Sequence, residues 1–121
     1  MTVPELKHLR VDDRDGVAVV DFVGSQLMYA TALVEEIGDE LQSLVKDQNQ
    51  AKILLNFRNV QYVSSTMLGQ LAHLDREVKK AKGQLRLCGL GPVLRDTFRI
   101  GHFEPLFSIY DDEAGALKSF H

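Results

Sequence analysis

The pattern of hydrophobic and polar positions predicts a strand pair followed by alternating helices and strands. Two strand-like stretches, residues 6–11 and 16–22, flank a polar turn at residues 12–16 and predict an N-terminal hairpin. Apolar residues at helical spacing then predict a helix from a capping Thr31 to about residue 45. Its predicted inner face comprises Leu33, Val34, Ile37, Leu41 and Leu44, and its predicted outer face comprises Glu35, Glu36, Asp39 and Glu40.

The second half of the chain continues the alternation. Residues 53–57 have the composition of a buried strand, a helix is predicted from Ser65 towards Gly83, and residues 84–88 predict another strand. Pro92 opens a predicted helix that ends at Gly101, and its predicted buried residues are Val93, Leu94, Phe98 and Ile100. A short strand at residues 107–110 and a terminal helix complete the series. Asp111 or Asp112 is the predicted cap of that helix, which contains Ala114, Ala116, Leu117 and Phe120.

This order predicts the fold class. We expect one α/β domain spanning residues 1–121, with a mixed, mostly parallel β-sheet, an N-terminal β-hairpin and about four α-helices. A chain of 121 residues with 45% hydrophobic content suits one globular domain with a modest core. Core positions predicted between sheet and helices are Leu55, Leu68, Leu71 and Leu87.

Composition and charge exclude several function classes. A formal charge of −3 and a pI near 5.7 disfavour direct binding to nucleic acid. The single cysteine, Cys88, lies in a predicted strand and is expected to be a small core residue. The chain has no apolar run of the roughly 18 residues that span a bilayer and no signal-peptide pattern, so we expect a cytoplasmic protein without membrane insertion.

No motif predicts catalysis, a cofactor or a metal. The Gly-x-Ser-x-Gly motif is absent, and the four histidines are scattered without metal-site spacing. Residues 89–92, Gly-Leu-Gly-Pro, resemble a nucleotide loop only superficially, because Leu94 stands where the third glycine would be. We therefore expect a non-enzymatic protein with no catalytic residue, no cofactor and no metal.

Three adjacent hydroxyl residues, Ser64, Ser65 and Thr66, lie at the predicted start of the central helix. One interpretation is a plain N-cap, in which a hydroxyl oxygen accepts a hydrogen bond from a free backbone N–H. The other is a site for a phosphate, because a helix N-terminus favours negative charge. The residues themselves leave both interpretations open, although three hydroxyls exceed what capping requires.

Two segments resemble the STAS domain family, named for sulfate transporters and anti-sigma factor antagonists. Residues 63–69, Val-Ser-Ser-Thr-Met-Leu-Gly, are similar to the phosphorylation loop of the family, commonly Asp-Ser-Ser/Thr-Gly/Ala/Met-Leu-Gly. Residues 87–98 are similar to its fourth strand, the turn opened by Pro92 and the following helix. The resemblance covers nearly the whole chain.

The resemblance implies a bacterial anti-sigma factor antagonist that works by partner switching. The implied partners are an anti-sigma factor with a histidine-kinase-like ATPase fold, which acts as a serine kinase, and a serine phosphatase. Ser65 matches the phosphoacceptor, with Ser64 and Thr66 as alternatives. Phosphorylation there would turn binding off. The implied partner-binding residues are Ser64, Ser65, Thr66, Met67, Gln26 and Met28.

The sequence departs from the family pattern at two acidic positions. Ser64 stands where the family has an acidic residue that is thought to assist phosphotransfer. The family's Gly-x-Leu-Asp after the second strand appears as Gly-Ser-Gln-Leu-Met at residues 24–28, again without the acidic residue. An alternative function is therefore a non-phosphorylated STAS scaffold module of a stressosome or lipid-transport assembly.

Overall fold

The computed structural model describes residues 8–23, 31–46 and 51–120, and their elements follow the predicted order. The elements are β1 (Leu9–Arg14), β2 (Val17–Phe22), α1 (Thr31–Lys46), β3 (Lys52–Asn56), α2 (Ser65–Lys80), β4 (Gln84–Cys88), α3 (Pro92–Ile100), β5 (Ser108–Tyr110) and α4 (Glu113–Lys118). A single 3₁₀ turn at Glu104–Leu106, which the hydrophobic pattern does not predict, precedes β5.

The five strands form one mixed sheet in the order β1-β2-β3-β4-β5. The hairpin strands β1 and β2 pair antiparallel, and the pairs β2–β3, β3–β4 and β4–β5 are parallel. Parallel neighbours need a crossover connection, and α1, α2 and α3 lie in those connections. The predicted α/β fold class, the N-terminal hairpin and the number of helices are confirmed.

Helices cover both faces of the sheet, but unequally. The larger core lies on the face covered by α1, α2 and α3, and it contains the four predicted core leucines Leu55, Leu68, Leu71 and Leu87, each at most 3% exposed. The smaller core lies under α4 and includes Cys88, which is buried as predicted. Because β3 is covered on both sides, its apolar residues form a continuous run rather than alternating.

The N-terminal turn is shorter than the predicted residues 12–16. Strand β1 continues to Arg14, and the turn consists of Asp15 and Gly16, whose φ angles are 54° and 85°. Two central residues with positive φ are typical of the tight hairpin turn that an Asp-Gly pair favours. The polar residues from Asp12 to Arg14 belong to the strand because they pair with residues 17–19 of β2, and their exposed side chains need no apolar partner.

Three helix predictions need correction. Thr31 is the first residue of α1 rather than the residue before it. Val93 and Ile100, predicted to be buried, are 55% and 73% exposed, because only Leu94 and Phe98 of α3 face the core. Glu40 was expected to face water, but its side chain is only 14% exposed, and it accepts a hydrogen bond from the backbone N–H of His8 at 3.0 Å.

The predicted end of α2 at Gly83 is wrong: the helix ends at Lys80 with Ala81 as its C-cap, because Lys82, with a φ of 58°, has already left the helical conformation. The other helix boundaries agree closely with the predictions. Pro92 occupies the first turn of α3 after Gly91, and Gly101 follows its last residue. Asp112 caps α4 through a hydrogen bond from the backbone N–H of Gly115 at 2.7 Å. Phe120, predicted to lie within α4, follows its end. No helix in the described ranges combines the length and the apolar character that crossing a membrane requires.

Candidate functional site

The hydroxyl residues singled out from the sequence follow a well-anchored loop, residues 57–63, between β3 and α2. The Phe57 side chain is fully buried, and its ring lies 5.0 Å from the ring of Phe22 and 6.2 Å from that of Phe98. The Phe57 backbone N–H donates to the Cys88 carbonyl at 2.9 Å, and Val60, which is 5% exposed, bonds back to the Phe57 carbonyl. The base of the loop is therefore fixed to the core.

A buried amide, Asn56, fixes the direction of this loop. Its side-chain oxygen accepts a hydrogen bond from the backbone N–H of Arg58 at 3.0 Å, and its side-chain nitrogen donates to Glu113 at 3.3 Å. Gly89 packs against the same amide with a φ of +74°, and a Cβ atom there would lie 2.6 Å from the Asn56 oxygen. Glycine is therefore required at position 89, both for its backbone conformation and for its close approach to Asn56.

Ser64 is the N-cap of α2. Its backbone is extended, its hydroxyl oxygen accepts a hydrogen bond from the Met67 N–H at 3.2 Å, and its carbonyl accepts one from Leu68 at 3.1 Å. A serine suits this position because its short side chain satisfies one of the free N–H groups of the first turn. The capping interpretation therefore applies to Ser64, which leaves the two following hydroxyls to be explained.

Ser65 and Thr66 are exposed on the first turn of α2. The first N–H groups of a helix lack intrahelical partners, and the helix dipole adds a partial positive charge at this end. The first turn of α2 carries no acidic side chain. The two hydroxyls thus lie in a local field that favours a negatively charged group.

The six predicted partner-binding residues do not all belong to this surface. Met67 is 0% exposed, because it begins the apolar stripe that continues through Leu68 and Leu71 into the core. Its side chain cannot contact a partner, and this prediction is corrected. Gln26 and Met28 lie outside the described residues. Ser64 is partly exposed, so the surface contains Ser65, Thr66 and the outer part of Ser64.

Two cavities flank the loop before α2. One, of about 550 Å³, is lined by Arg10, Asp21, Phe22, Val23, Arg58, Asn59 and Gln61. The other, of about 330 Å³, is lined by Arg58, Val60, Gln61, Tyr62, Gly89, Gly91, Pro92, Val93 and Leu94. Arg58 lies between them and pairs with Asp21, with 3.3 Å between Nη2 and Oδ2. In the second cavity Tyr62 and Val93 are both about half exposed, at 47% and 55%.

Sequence reasoning missed this flanking surface. Tyr62 lies near the end of the loop and Val93 in the first turn of α3, and at such positions periodicity does not distinguish an outward from an inward side chain. Asn56 was also missed, although a polar residue ending an apolar strand was an available signal. Within residues 8–23, 31–46 and 51–120, no cluster of His, Cys, Asp and Glu side chains has the arrangement of a metal site.

The chain matches the model of the STAS domain over residues 8–116. It is 26% identical over 112 residues to "Putative anti-sigma factor antagonist BtrV" of Bordetella bronchiseptica, with 93% of each protein covered. Its fold matches the crystal structure of an anti-sigma factor antagonist from Mycobacterium paratuberculosis with a TM-score of 0.80 and 21% identity, covering 99% of this chain and 98% of that one.

A further solved structure is the Bacillus cell fate determinant SpoIIAA in its phosphorylated form. Its TM-score is 0.67 at 18% identity, with 91% of this chain and 96% of that chain covered. These structural similarities extend over nearly the whole chain, and the family model includes the hairpin, the loop before α2 and the first residues of α4. The chain therefore belongs to the STAS domain family.

Proposed function

We propose that this chain is an anti-sigma factor antagonist, a regulatory protein that binds an anti-sigma factor and is turned off by phosphorylation of Ser65. The observation that carries the proposal is the exposure of Ser65 on the first turn of α2, directly after a residue that already supplies the cap. The name of the Bordetella bronchiseptica relative supports the antagonist function. The protein acts by binding and needs no catalytic residue of its own.

The first turn of α2 can accommodate a phosphate without loss of the fold. A phosphoserine carries about −1.5 to −2 charges at pH 7. A negative group near a helix N-terminus is stabilised by roughly 0.3 to 2 kcal/mol. Ser65 is exposed and its side chain supports no core contact, so the modification changes the surface much more than the interior.

The proposed partner is an anti-sigma factor with a histidine-kinase-like ATPase fold that also acts as the serine kinase, and a serine phosphatase reverses the reaction. The proposed contact surface is formed by Ser64, Ser65 and Thr66 together with Gln26 and Met28. A phosphate on Ser65 would face the partner in the complex. Each tenfold loss of affinity corresponds to about 1.4 kcal/mol, so a modest electrostatic penalty is enough for a switch.

A second candidate function rests on Ser64. This residue gives the α2 N-terminus a cap but no carboxylate next to Ser65, whereas the family pattern has an acidic residue there. Without that carboxylate, phosphotransfer to Ser65 is slower, and a chain that is never phosphorylated would act as a constitutive scaffold module. The two candidates predict different modification states of the same serine.

Phosphopeptide mapping after incubation with the cognate kinase and ATP tests the proposal. We expect phosphate on Ser65 in the wild type and none on that peptide in Ser65→Ala. Ser64→Asp, which keeps a capping side chain and adds the carboxylate, should accelerate the modification. Phosphate on Ser64 or Thr66 instead would move the switch to that residue. An unmodified wild type together with a modified Ser64→Asp variant would favour the scaffold function.

A further inference from the structure

Strand β1 is an edge of the sheet in the described part of the chain, and its pairing with β2 determines which of its residues point their backbone N–H and C=O groups outward. The Val23 N–H donates to the His8 carbonyl at 2.8 Å, and the antiparallel register pairs Leu9 with Phe22 and Arg10 with Asp21. In such a ladder, bonded and non-bonded pairs alternate. The backbone groups of residues 10, 12 and 14 therefore point towards β2, and those of residues 9, 11 and 13 point outward.

The side chains along this edge carry alternating charge. Arg10, Asp12 and Arg14 lie on the sheet face that α4 partly covers, and all three are exposed. Arg14 pairs with Asp12 at 3.1 Å and with Glu113 at 3.0 Å. Within the described residues, Arg10 forms no ion pair. Along this edge the unpaired Arg10 therefore lies two residues before Asp12, whose side chain is 65% exposed.

We propose that β1 pairs antiparallel with β1 of a second copy of this chain, across a two-fold axis at Val11. The outward backbone groups must bond to one another, so only registers that pair residues 9, 11 and 13 among themselves are allowed. When Val11 lies opposite its own copy, Arg10 of each copy lies opposite Asp12 of the other copy, which gives two opposite-charge pairs. Shifting the register one way places Arg10 opposite Arg10 of the other copy. Shifting it the other way places Arg10 opposite Arg14 and Asp12 opposite Asp12, so both shifted registers bring like charges together.

Among these three registers, charge selects the one centred on Val11, and the geometry strengthens that choice. Arg10 and Asp12 of the partner copy would occupy a non-hydrogen-bonded pair, in which the two Cα atoms lie about 4.5 Å apart and cross-strand side chains are closest. On the opposite face, Val11 is half-buried against the larger core, so the axis places one apolar side chain against its own copy. The product is a continuous ten-stranded sheet formed by two five-stranded sheets.

Sedimentation equilibrium of the full chain, from about 1 to 500 μM, tests the dimer, because dissociation depends on concentration. We expect a monomer–dimer equilibrium that shifts towards monomer at high salt.

Arg10→Asp and Asp12→Arg should each weaken association at least about tenfold, because each creates two like-charge pairs across the axis. The double variant carrying both changes should dimerise within about threefold of the wild type, because the opposite-charge pairs are restored. Arg76→Asp on the exposed side of α2 is the matched control and should leave association unchanged.

A backbone variant separates pairing from folding. Val11→Pro removes an N–H that points away from β2, which an edge strand tolerates. We expect this variant to keep its circular dichroism spectrum and to sediment as a monomer. A wild type that is monomeric over the whole concentration range would overturn the proposal. Failure of the double variant to restore the dimer, or dimerisation of Val11→Pro as in the wild type, would exclude this register.

Discussion

Asn56 holds the backbone of Arg58: the Asn56 side-chain oxygen accepts a hydrogen bond from the Arg58 N–H at 3.0 Å. Asn56 is only 4% exposed, and the other end of its amide donates to Glu113 of α4. One buried side chain therefore links the end of β3, the helix on the far face of the sheet and the loop that leads to Ser65. The position of the candidate site depends on the core through this residue.

We predict that Asn56→Ala lowers the free energy of unfolding by about 1 to 3 kcal/mol, because the Arg58 N–H and the Glu113 carboxylate lose their buried partner. Urea titration measures the change. Asn59→Ala, an exposed residue of the same loop, is the control and should alter stability by less than about 0.5 kcal/mol. Equal effects of the two substitutions would show that Asn56 does not support the loop.

Leu71 tests the packing of α2 against the sheet. Its side chain is fully buried in the larger core, so Leu71→Ala should cost roughly 2 to 5 kcal/mol through lost burial and a residual cavity. Arg76→Ala on the exposed side of the same helix should change stability by less than about 0.5 kcal/mol, because the side chain is exposed and alanine is the best helix former. A loss below about half a kcal/mol for Leu71→Ala in urea titration would contradict the assigned helix face.

The cap of α2 separates the roles of two adjacent serines. Ser64→Ala removes the acceptor for the Met67 N–H and should destabilise the protein by about 1 kcal/mol. Ser64→Asp should be close to the wild type, because aspartate caps equally well. Ser65→Ala should leave the melting temperature nearly unchanged, since the Ser65 side chain is exposed. If Ser65→Ala destabilises the protein more than Ser64→Ala, the capping assignment is wrong.

The Cys88 thiol should be inert in the folded protein. Burial, with smaller contributions from Glu113 and Asp21, raises the pKa of Cys88 from 9.0 to about 12. The thiolate is the reactive form, so alkylation by iodoacetamide at pH 8 should be slow in buffer and fast in urea. Rapid alkylation of the native protein at a rate independent of urea would contradict the buried position.

The same pKa shift predicts how stability depends on pH. The folded state keeps the Cys88 proton at pH values where the unfolded chain has released it, so this contribution is fully present below about pH 9 and is lost as the pH rises towards about 12. Urea titrations between pH 8 and 11 should show a shallower decline in Cys88→Ala than in the wild type. Identical pH profiles would exclude the effect.

Much of the fold was predictable because local signals and the hydrophobic pattern agree. Helix α3 was predicted with its observed boundaries, since Pro92 fixes its start and Gly101 its end. Strand β1 was assigned too early in the chain, because the pattern contains no apolar residue between Val11 and Arg14. That segment is held by pairing with β2, a non-local interaction that the residues of β1 do not reveal.

The candidate site was predictable in part. The cluster of hydroxyls located the start of α2, but it could not assign the cap to Ser64 and exposure to Ser65, because a shift of one residue rotates each side chain by about 100° around the helix. That rotation also places Met67 in the core rather than on the surface. The contact between Asn56 and Arg58 depends on how the loop turns back beneath Gly89, which the sequence does not specify.

The most direct test of the proposed switch is the affinity of this chain for the anti-sigma factor, measured by calorimetry with the wild type, Ser65→Ala, Ser65→Asp and the control Ser108→Asp. Ser108 is also exposed but lies on β5, so the control adds the same charge at another place. Circular dichroism melts should show all four proteins folded.

We expect Ser65→Ala and Ser108→Asp to bind as tightly as the wild type and Ser65→Asp to bind at least about a hundredfold more weakly, equivalent to about 2.7 kcal/mol. Equal affinity of Ser65→Asp and the wild type, with both proteins folded, would contradict the switch.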